Sequence, residues 1–178
     1  KSNLKITTKS DLELFKSYLN KDIRIGNGFD LHRIKKGKTL KLAGLDFKSN
    51  YQLIGHSDGD VVLHSLIDAI LGTIQKGDIG EYFPSSDKKY KGIQSRVLIN
   101  EIINKNQYNM NNIINVDMTI ICQHIKLSEY KNKIRKSVSE ILNCDIGKIN
   151  IKAKTTDNIG IIGKSKAIAC WVTLLASI

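Results

Sequence analysis

The chain has 178 residues, enough for one domain with a sizeable core and short for two. Hydrophobic residues make up 41 % and charged residues 25 %, the balance of a folded globular protein, and no apolar run nears the roughly 18 to 20 residues a membrane span needs. A net charge of +11 attracts polyanions, but arginine is scarce, aromatic content is 6 % and the lysines are spread, so drift in an AT-rich genome is favoured over nucleic-acid binding.

The first 20 residues hold a weak amphipathic helix, with Leu12, Leu14, Phe15, Tyr18 and Leu19 clustered and Ser10 or Asp11 as its N-cap. This segment, residues 1–21, reads as an extension appended to a domain over 22–178. From Ile23, IRIGNGFDLH alternates apolar and other residues and predicts a strand punctuated by Gly26 and Gly28. Residues 38–46 predict a second strand, paired with the first or running along its edge. A loop leads to GHSDGD, and a helix follows over about residues 60–74. KGDIGEYFPSSDKKYKG is a long polar loop holding the sole proline, Pro84, and loops of that length are usually functional. A helix over about 93–104, a strand over 116–123 and a helix over 128–143 come next, the last with Ile134, Val138, Ile141 and Leu142 facing inward. Residues 148–156 form a strand, and 167–176 a final buried strand with helix as the competing reading. The expected fold class is α/β (α+β): a mixed β-sheet with helices packed on one face.

Cys122, Cys144 and Cys170 are odd in number, widely spaced and without a CxxC pair, which reads as free thiols in a reducing compartment. Asp30 and His32 are two apart on a predicted strand, so both side chains leave the same face. His64 lies on the helix after HSDGD. One carboxylate and two imidazoles form a tripod that leaves a fourth tetrahedral position open, as catalytic zinc requires. Asp60 and Asp68, one turn either side of His64, are candidates to accept its second ring N–H. Three of the four histidines fall within residues 32–64, which strengthens a metal site over isolated structural histidines. His56 and Ser57 precede a helix N-terminus, where an anion is favoured, although Ser57 or Asp58 as a plain N-cap fits equally well. KTTDNIG, residues 154–160, offers a cation, two hydroxyls and a carboxylate at a strand end; an ordinary strand-to-loop turn is the simpler reading of it alone.

Together, RIGNGFDLH at 24–32, GHSDGDVVLHSLIDAILG at 55–72, GDIGEYFPSSD at 77–87, KGIQSR at 91–96, VDMTIICQ at 116–123 and INIKAKTTDNIG at 149–160 resemble the 2-C-methyl-D-erythritol 2,4-cyclodiphosphate synthase family of the non-mevalonate isoprenoid pathway. The resemblance covers residues 22–178. It implies a lyase that cyclises 4-diphosphocytidyl-2-C-methyl-D-erythritol 2-phosphate and releases CMP, an intramolecular phosphoryl transfer dominated by positioning and charge neutralisation. By the same resemblance, Asp30, His32 and His64 hold Zn2+ and Asp157 holds Mg2+ or Mn2+. His56 and Thr155 match positions that stabilise the transition state, and Ser57 helps hold the methylerythritol phosphate. Asp78, Ile79, Gly80, Phe83, Pro84, Ser85, Ser86 and Asp87 match the substrate loops. The stretch Cys122 to Ser128, including Lys126, matches the cytidine pocket together with Ala153, Lys154, Thr155 and Thr156, and Ile161 and Lys164 are also placed at the substrate. The family implies a homotrimer with sites shared between subunits around a central channel.

The chain departs from the family pattern in several places. Asp157 stands where glutamate is common and is one methylene shorter. His124 and Ile125 replace a frequent alanine and proline, and Lys164 replaces arginine, losing the bidentate fork. Two other functional classes compete: a zinc phosphodiesterase or hydrolase on the same tripod, and a basic nucleic-acid module with a structural metal. A start at Lys1 rather than Met reads as a processed form. With the biased composition, it suggests a plastid protein (apicoplast or chloroplast) with its transit peptide removed, a bacterial cytoplasm being the other reading.

Overall fold

Why the longest strand alternates as it does is visible in what it packs against. The computed structural model describes residues 5–19, 22–55 and 57–178. Its elements in chain order are α1 (Lys9–Leu19), β1 (Ile23–Lys36), β2 (Thr39–Leu42), β3 (Leu45–Lys48), β4 (Tyr51–Ile54) and α2 (Val61–Thr73), then a helical turn α3 (Ile79–Tyr82), α4 (Ser95–Lys105), β5 (Ile113–Ile121), α5 (Lys131–Leu142), β6 (Ile149–Lys154), a second turn α6 (Gly160–Gly163) and β7 (Ala167–Ser177). In β1, Gly26, Gly28 and Ile34 face the core, while Ile23, Ile25, Asn27 and Phe29 face outward. The inward glycines let α2 lie directly on the strand. A Cβ on Gly26 would stand 1.8 Å from the Ala69 carbonyl oxygen, and one on Gly28 1.9 Å from that of Ser65.

Five strands form one mixed sheet in the order β4-β1-β7-β5-β6, with β5 and β6 parallel and the other neighbours antiparallel. The final segment is therefore a strand, paired on both sides, and not the competing helix. Helix α2 packs on β1 and β7, α4 on α2, and α5 on β6. Val61, Val62, Leu63, Leu66, Ile67 and Ile70 of α2 are buried with Met118, Ile120, Val172 and Leu174 of the sheet, which places the core on that face. The other face leaves Ile25, Phe29 and Trp171 more than half exposed. Among the described residues, no helix is long and apolar enough to cross a membrane.

Several expectations change. Residues 38–46 are not one strand beside β1. They contain β2, a turn at Ala43 and Gly44 with positive φ at both (53° and 72°), and the start of β3, forming a separate two-stranded hairpin. The turn is clamped by hydrogen bonds: the Asp60 carboxylate accepts from Ala43 N and Gly44 N, and Ser137 Oγ donates to Ala43 O. β4, read as loop from the sequence, pairs with the far end of β1. The N-cap of α1 is Thr8 rather than Ser10 or Asp11. Thr8 Oγ1 accepts from Asp11 N while the Asp11 carboxylate reaches back to Thr7 N and Thr8 N, a capping box that lowers the Asp11 carboxyl to about 2.

Candidate metal centre

Asp30 and His32 leave β1 on the same side near its middle, and α2 brings His64 over them because Gly26 and Gly28 remove the side chains that would hold it off. The three residues offer ligand atoms that all lie within 4.8 Å of one another. Both His32 Nδ1 and His64 Nδ1 stand 2.9 Å from the same oxygen, Asp30 Oδ2. Burial works against ionisation of Asp30, but the two imidazoles outweigh it and hold the carboxyl at about 2. His32 Nδ1 is buried, and its approach to Asp30 Oδ2 does not have the angles of a hydrogen bond. Two imidazoles and an ionised carboxylate, with both Nδ1 atoms turned to the same carboxylate oxygen, form a donor set that fits a divalent ion of zinc type.

Neither Asp60 nor Asp68 takes the second ring nitrogen of His64, contrary to the sequence expectation. Asp60 is fully buried at the N-cap of α2, where its carboxylate accepts from Val62 N, Leu63 N, Ala43 N and Gly44 N. Its inward position is spent on joining α2 to the β2–β3 turn. Burial pushes its carboxyl up, and the N–H groups of Gly44, Ala43 and Leu63 pull the other way. Asp68 accepts from Ile79 N at 2.8 Å and so anchors α3, its carboxyl also raised by burial. His64 Nε2 instead lies 3.0 Å from Ser57 Oγ and 2.9 Å from Ser95 Oγ. Ser95 is fully buried and donates to Asp58 Oδ1. Ser95 falls within KGIQSR, where the sequence pattern alone assigns it no role. The signal available was a serine at the first position of a helix whose preceding residue, Gln94, makes no side-chain cap.

Asp30, His32 and His64 open into a cleft of about 200 Å³ whose walls include Ser57, Asp68, Ile79, Gly80, Phe83, Ser85, Tyr90 and Leu98. Ser57, Ile79, Gly80, Phe83 and Ser85 were expected at the substrate, so this part of the expected site comes together within one chain. Asp78 caps α3 through Gly80 N and Glu81 N, and Asp87 caps the following turn through Lys89 N. Pro84 accepts from Asp87 N, and Ser86 lies exposed between them. His56 lies outside the described residues.

The remaining expected residues sit elsewhere. Ala153, Lys154, Thr155, Thr156 and Asp157 follow one another at the end of β6, and Ile161 and Lys164 lie on and just after α6, all but Ala153 and Thr156 exposed. Cys122 is buried beside them, its backbone N–H bonded to Lys154 O and its thiol pushed up by burial. Gln123 Oε1 accepts from Thr156 N. Lys126 pairs with Glu129 at 3.0 Å on the surface. Thr155 Oγ1 donates to Asp157 Oδ1 at 3.4 Å, and Asp157 and Asn158 both carry positive φ. His124 packs against Tyr51 with ring centroids 4.3 Å apart and the planes tilted by 48°. β7 and β5 separate this group from β1.

A model of the YgbB family matches residues 23–177. The 2-C-methyl-D-erythritol 2,4-cyclodiphosphate synthase of Halothermothrix orenii is 45 % identical over 153 residues, which are 86 % of this chain and 93 % of that protein. The bifunctional enzyme IspD/IspF of Pelagibacter ubique is 45 % identical over 171 residues, 96 % of this chain and 45 % of that protein. Among solved structures, IspF of Plasmodium falciparum in its CDP complex superposes with a TM-score of 0.73 at 37 % identity, covering 88 % of this chain and 97 % of that one.

Proposed function

Because the chain belongs to the YgbB family, the 2-C-methyl-D-erythritol 2,4-cyclodiphosphate synthases, we propose that it converts 4-diphosphocytidyl-2-C-methyl-D-erythritol 2-phosphate to 2-C-methyl-D-erythritol 2,4-cyclodiphosphate and CMP. The observation that carries this reading is the convergence of Asp30, His32 and His64 on the cleft, with both Nδ1 atoms 2.9 Å from Asp30 Oδ2. In the reaction, an oxygen of the 2-phosphate forms a new bond to the β-phosphorus. The bond from that phosphorus to the CMP oxygen breaks, and CMP leaves with the electron pair. No water takes part.

Asp30, His32 and His64 would hold a zinc ion, and Asp157 a magnesium or manganese ion. When bound, such ions supply positive charge to the phosphate oxygens as Lewis acids. The chain's own residues hold the rest of the substrate. Ile79, Phe83 and Leu98 give the cleft apolar surface for the methylerythritol carbons, and Ser57 and Ser85 set hydroxyls on its wall. His56 and Thr155 serve at the transferring phosphoryl group. Residues 122–128 with Lys154 and Thr156 take the cytidine.

The protein acts as a homotrimer in this reading, with the β6–α6 end of one subunit completing the cleft of the next. Two features support it. The metal group and the β6–α6 group are apart in one chain, and the outer sheet face bears an apolar patch left exposed among the described residues. On that patch Phe29 pairs with Trp171, ring centroids 5.8 Å apart, and Ile25 pairs with Leu175.

The test is CMP release by the zinc-loaded protein in 18O-labelled water. Cyclisation yields CMP and a product free of solvent oxygen. Label in either product would replace this reading with that of a zinc phosphodiesterase.

A further inference from the structure

The metal reading accounts for one nitrogen of His64 and leaves the other unexplained. His64 Nε2 faces away from Asp30, into a buried corner where Ser57 Oγ and Ser95 Oγ both approach it. The two hydroxyls differ in what stands behind them. Ser57 lies on the cleft wall, and its Oγ also accepts from Gly59 N at 3.2 Å. Ser95 is fully buried and donates its proton to Asp58 Oδ1. A hydroxyl has one proton, so Ser95, once committed to Asp58, meets His64 as an acceptor.

We propose that Ser95 and Asp58 are positioning residues for the metal centre: a chain from His64 Nε2–H to Ser95 Oγ to the Asp58 carboxylate keeps the proton on Nε2 and reserves Nδ1 for the ion. This deepens the metal reading above and rests on it. The arrangement is the carboxylate–histidine pairing common behind metal ligands, with a hydroxyl inserted between the two groups. The imidazole Nε2–H needs an acceptor once Nδ1 is engaged, because an unpaired buried donor is costly. The corner is rigid. Asp58 N donates to Ile93 O at 3.1 Å, and Ser95 opens α4, so the HSDGD loop and the start of α4 are held together beside the relay.

The inference explains two features of the sequence at once. It gives Asp58 a role distinct from that of Asp60 two residues on, whose carboxylate is fully used as a helix cap. It also gives KGIQSR, which touches no substrate in the reading above, a reason to sit where it does. Ser57 is the weaker partner on this account, since no carboxylate orients its proton and its place on the cleft wall leaves it available to a ligand.

The experiment measures zinc affinity by competition with a chromophoric chelator for the wild type, Ser95→Ala, Ser95→Thr, Asp58→Ala and Ser57→Ala. In parallel, the His64 Nε2–H resonance of each zinc-loaded protein is followed by 15N–1H NMR, and thermal unfolding of the metal-free forms is recorded. Ser95→Ala is expected to weaken zinc binding about tenfold or more and to expose the Nε2–H to solvent exchange, with Asp58→Ala in the same direction. Ser95→Thr restores both readouts because it keeps the hydroxyl, and Ser57→Ala changes affinity less than Ser95→Ala. Zinc affinity within twofold of wild type and a still-protected Nε2–H in both Ser95→Ala and Asp58→Ala would overturn the inference while leaving the metal site standing. So would a loss of affinity matched by the same fall in unfolding temperature and not restored by threonine. A wild-type protein that binds no divalent ion would overturn the metal reading itself, and this inference with it.

Discussion

Two edges of the same sheet carry the residues that matter, β6 and the part of β1 that β4, paired only with Arg33 to Lys36, leaves uncovered, and they are built in opposite ways. At β1, the group Asp30, His32 and His64 is assembled by core packing: a helix laid on two glycines, a fully used buried aspartate at its cap, and hydroxyls behind the histidine. At β6, residues 154–157, Ile161 and Lys164 stand at a strand end and a four-residue turn, exposed apart from Thr156, joined by a few local hydrogen bonds. The register puts Asp30 level with Cys170, Ile120 and Ala153, so the two edges face each other across the sheet, about 14 Å apart at ordinary strand spacing. The group proposed to hold an ion is assembled within one chain. The group proposed to admit a nucleotide is exposed, as a surface completed by another subunit would be.

The largest effect expected is at the first edge. His32→Ala or His64→Ala removes one of three protein donors and lowers turnover by about a thousandfold or more, while the fold persists, since neither imidazole packs in the apolar core. CMP release and far-UV circular dichroism check it. Full activity in a metal-stripped His32→Ala, His64→Ala double variant would end the metal assignment.

Gly28→Ala attacks the same edge through packing alone. A Cβ there meets the Ser65 carbonyl, which is backbone and cannot turn aside, so α2 must shift and carry His64 away from Asp30. A loss of about 1–3 kcal/mol of stability is expected, together with weaker zinc binding. Urea unfolding and chelator competition measure the two. Intact affinity in a destabilised protein would show that His64 is held by its hydrogen bonds rather than by the seat of the helix.

Asp157→Asn probes the second edge. It is expected to slow cyclisation about tenfold or more while leaving equilibrium binding of CDP less affected. Complementation sharpens the comparison further. Mixed in one solution, the inactive His64→Ala and the impaired Asp157→Asn chains form some clefts with both intact edges, and random mixing restores about a quarter of wild-type turnover. Activity no greater than the sum of the separate variants would mean that the two edges do not meet between subunits.

The same contrast explains what was readable from sequence. Alternation in IRIGNGFDLH, with glycines on the inward side, makes β1 and its face legible, and the D-x-H spacing then places Asp30 and His32 together. The hairpin at Ala43 and Gly44 escaped because an alanine holds the first positive-φ position where Asn or Asp would announce a turn. β4 escaped because four residues, none fully buried, give too short a pattern to read. The partners of His64 were assigned by helical spacing to Asp60 and Asp68. Spacing along one helix says nothing about Ser95, which arrives from another helix. At the β6 edge, nothing in KTTDNIG requires burial, so its part in a site came from resemblance and not from pattern.

The smallest effect tests how the second edge is held. Asp117 on β5 accepts hydrogen bonds from Lys152 Nζ and Asn150 Nδ2 on β6, and its carboxyl lies below the usual range, chiefly through the Lys152 bond. A carboxyl whose value falls on folding adds stability above the ordinary carboxylate range and loses it as the pH drops through the folded value. These groups are partly solvent-exposed, so the pair contributes less than about 1 kcal/mol. Asp117→Asn, or acidification of the wild type, is therefore expected to lower the exchange protection factors of the β6 amides a few-fold. At neutral pH, zinc affinity at Asp30, His32 and His64 should not change in that variant. If affinity fell together with β6 protection, the two edges would be one mechanical unit, and core packing on one side against surface pairing on the other would no longer separate them.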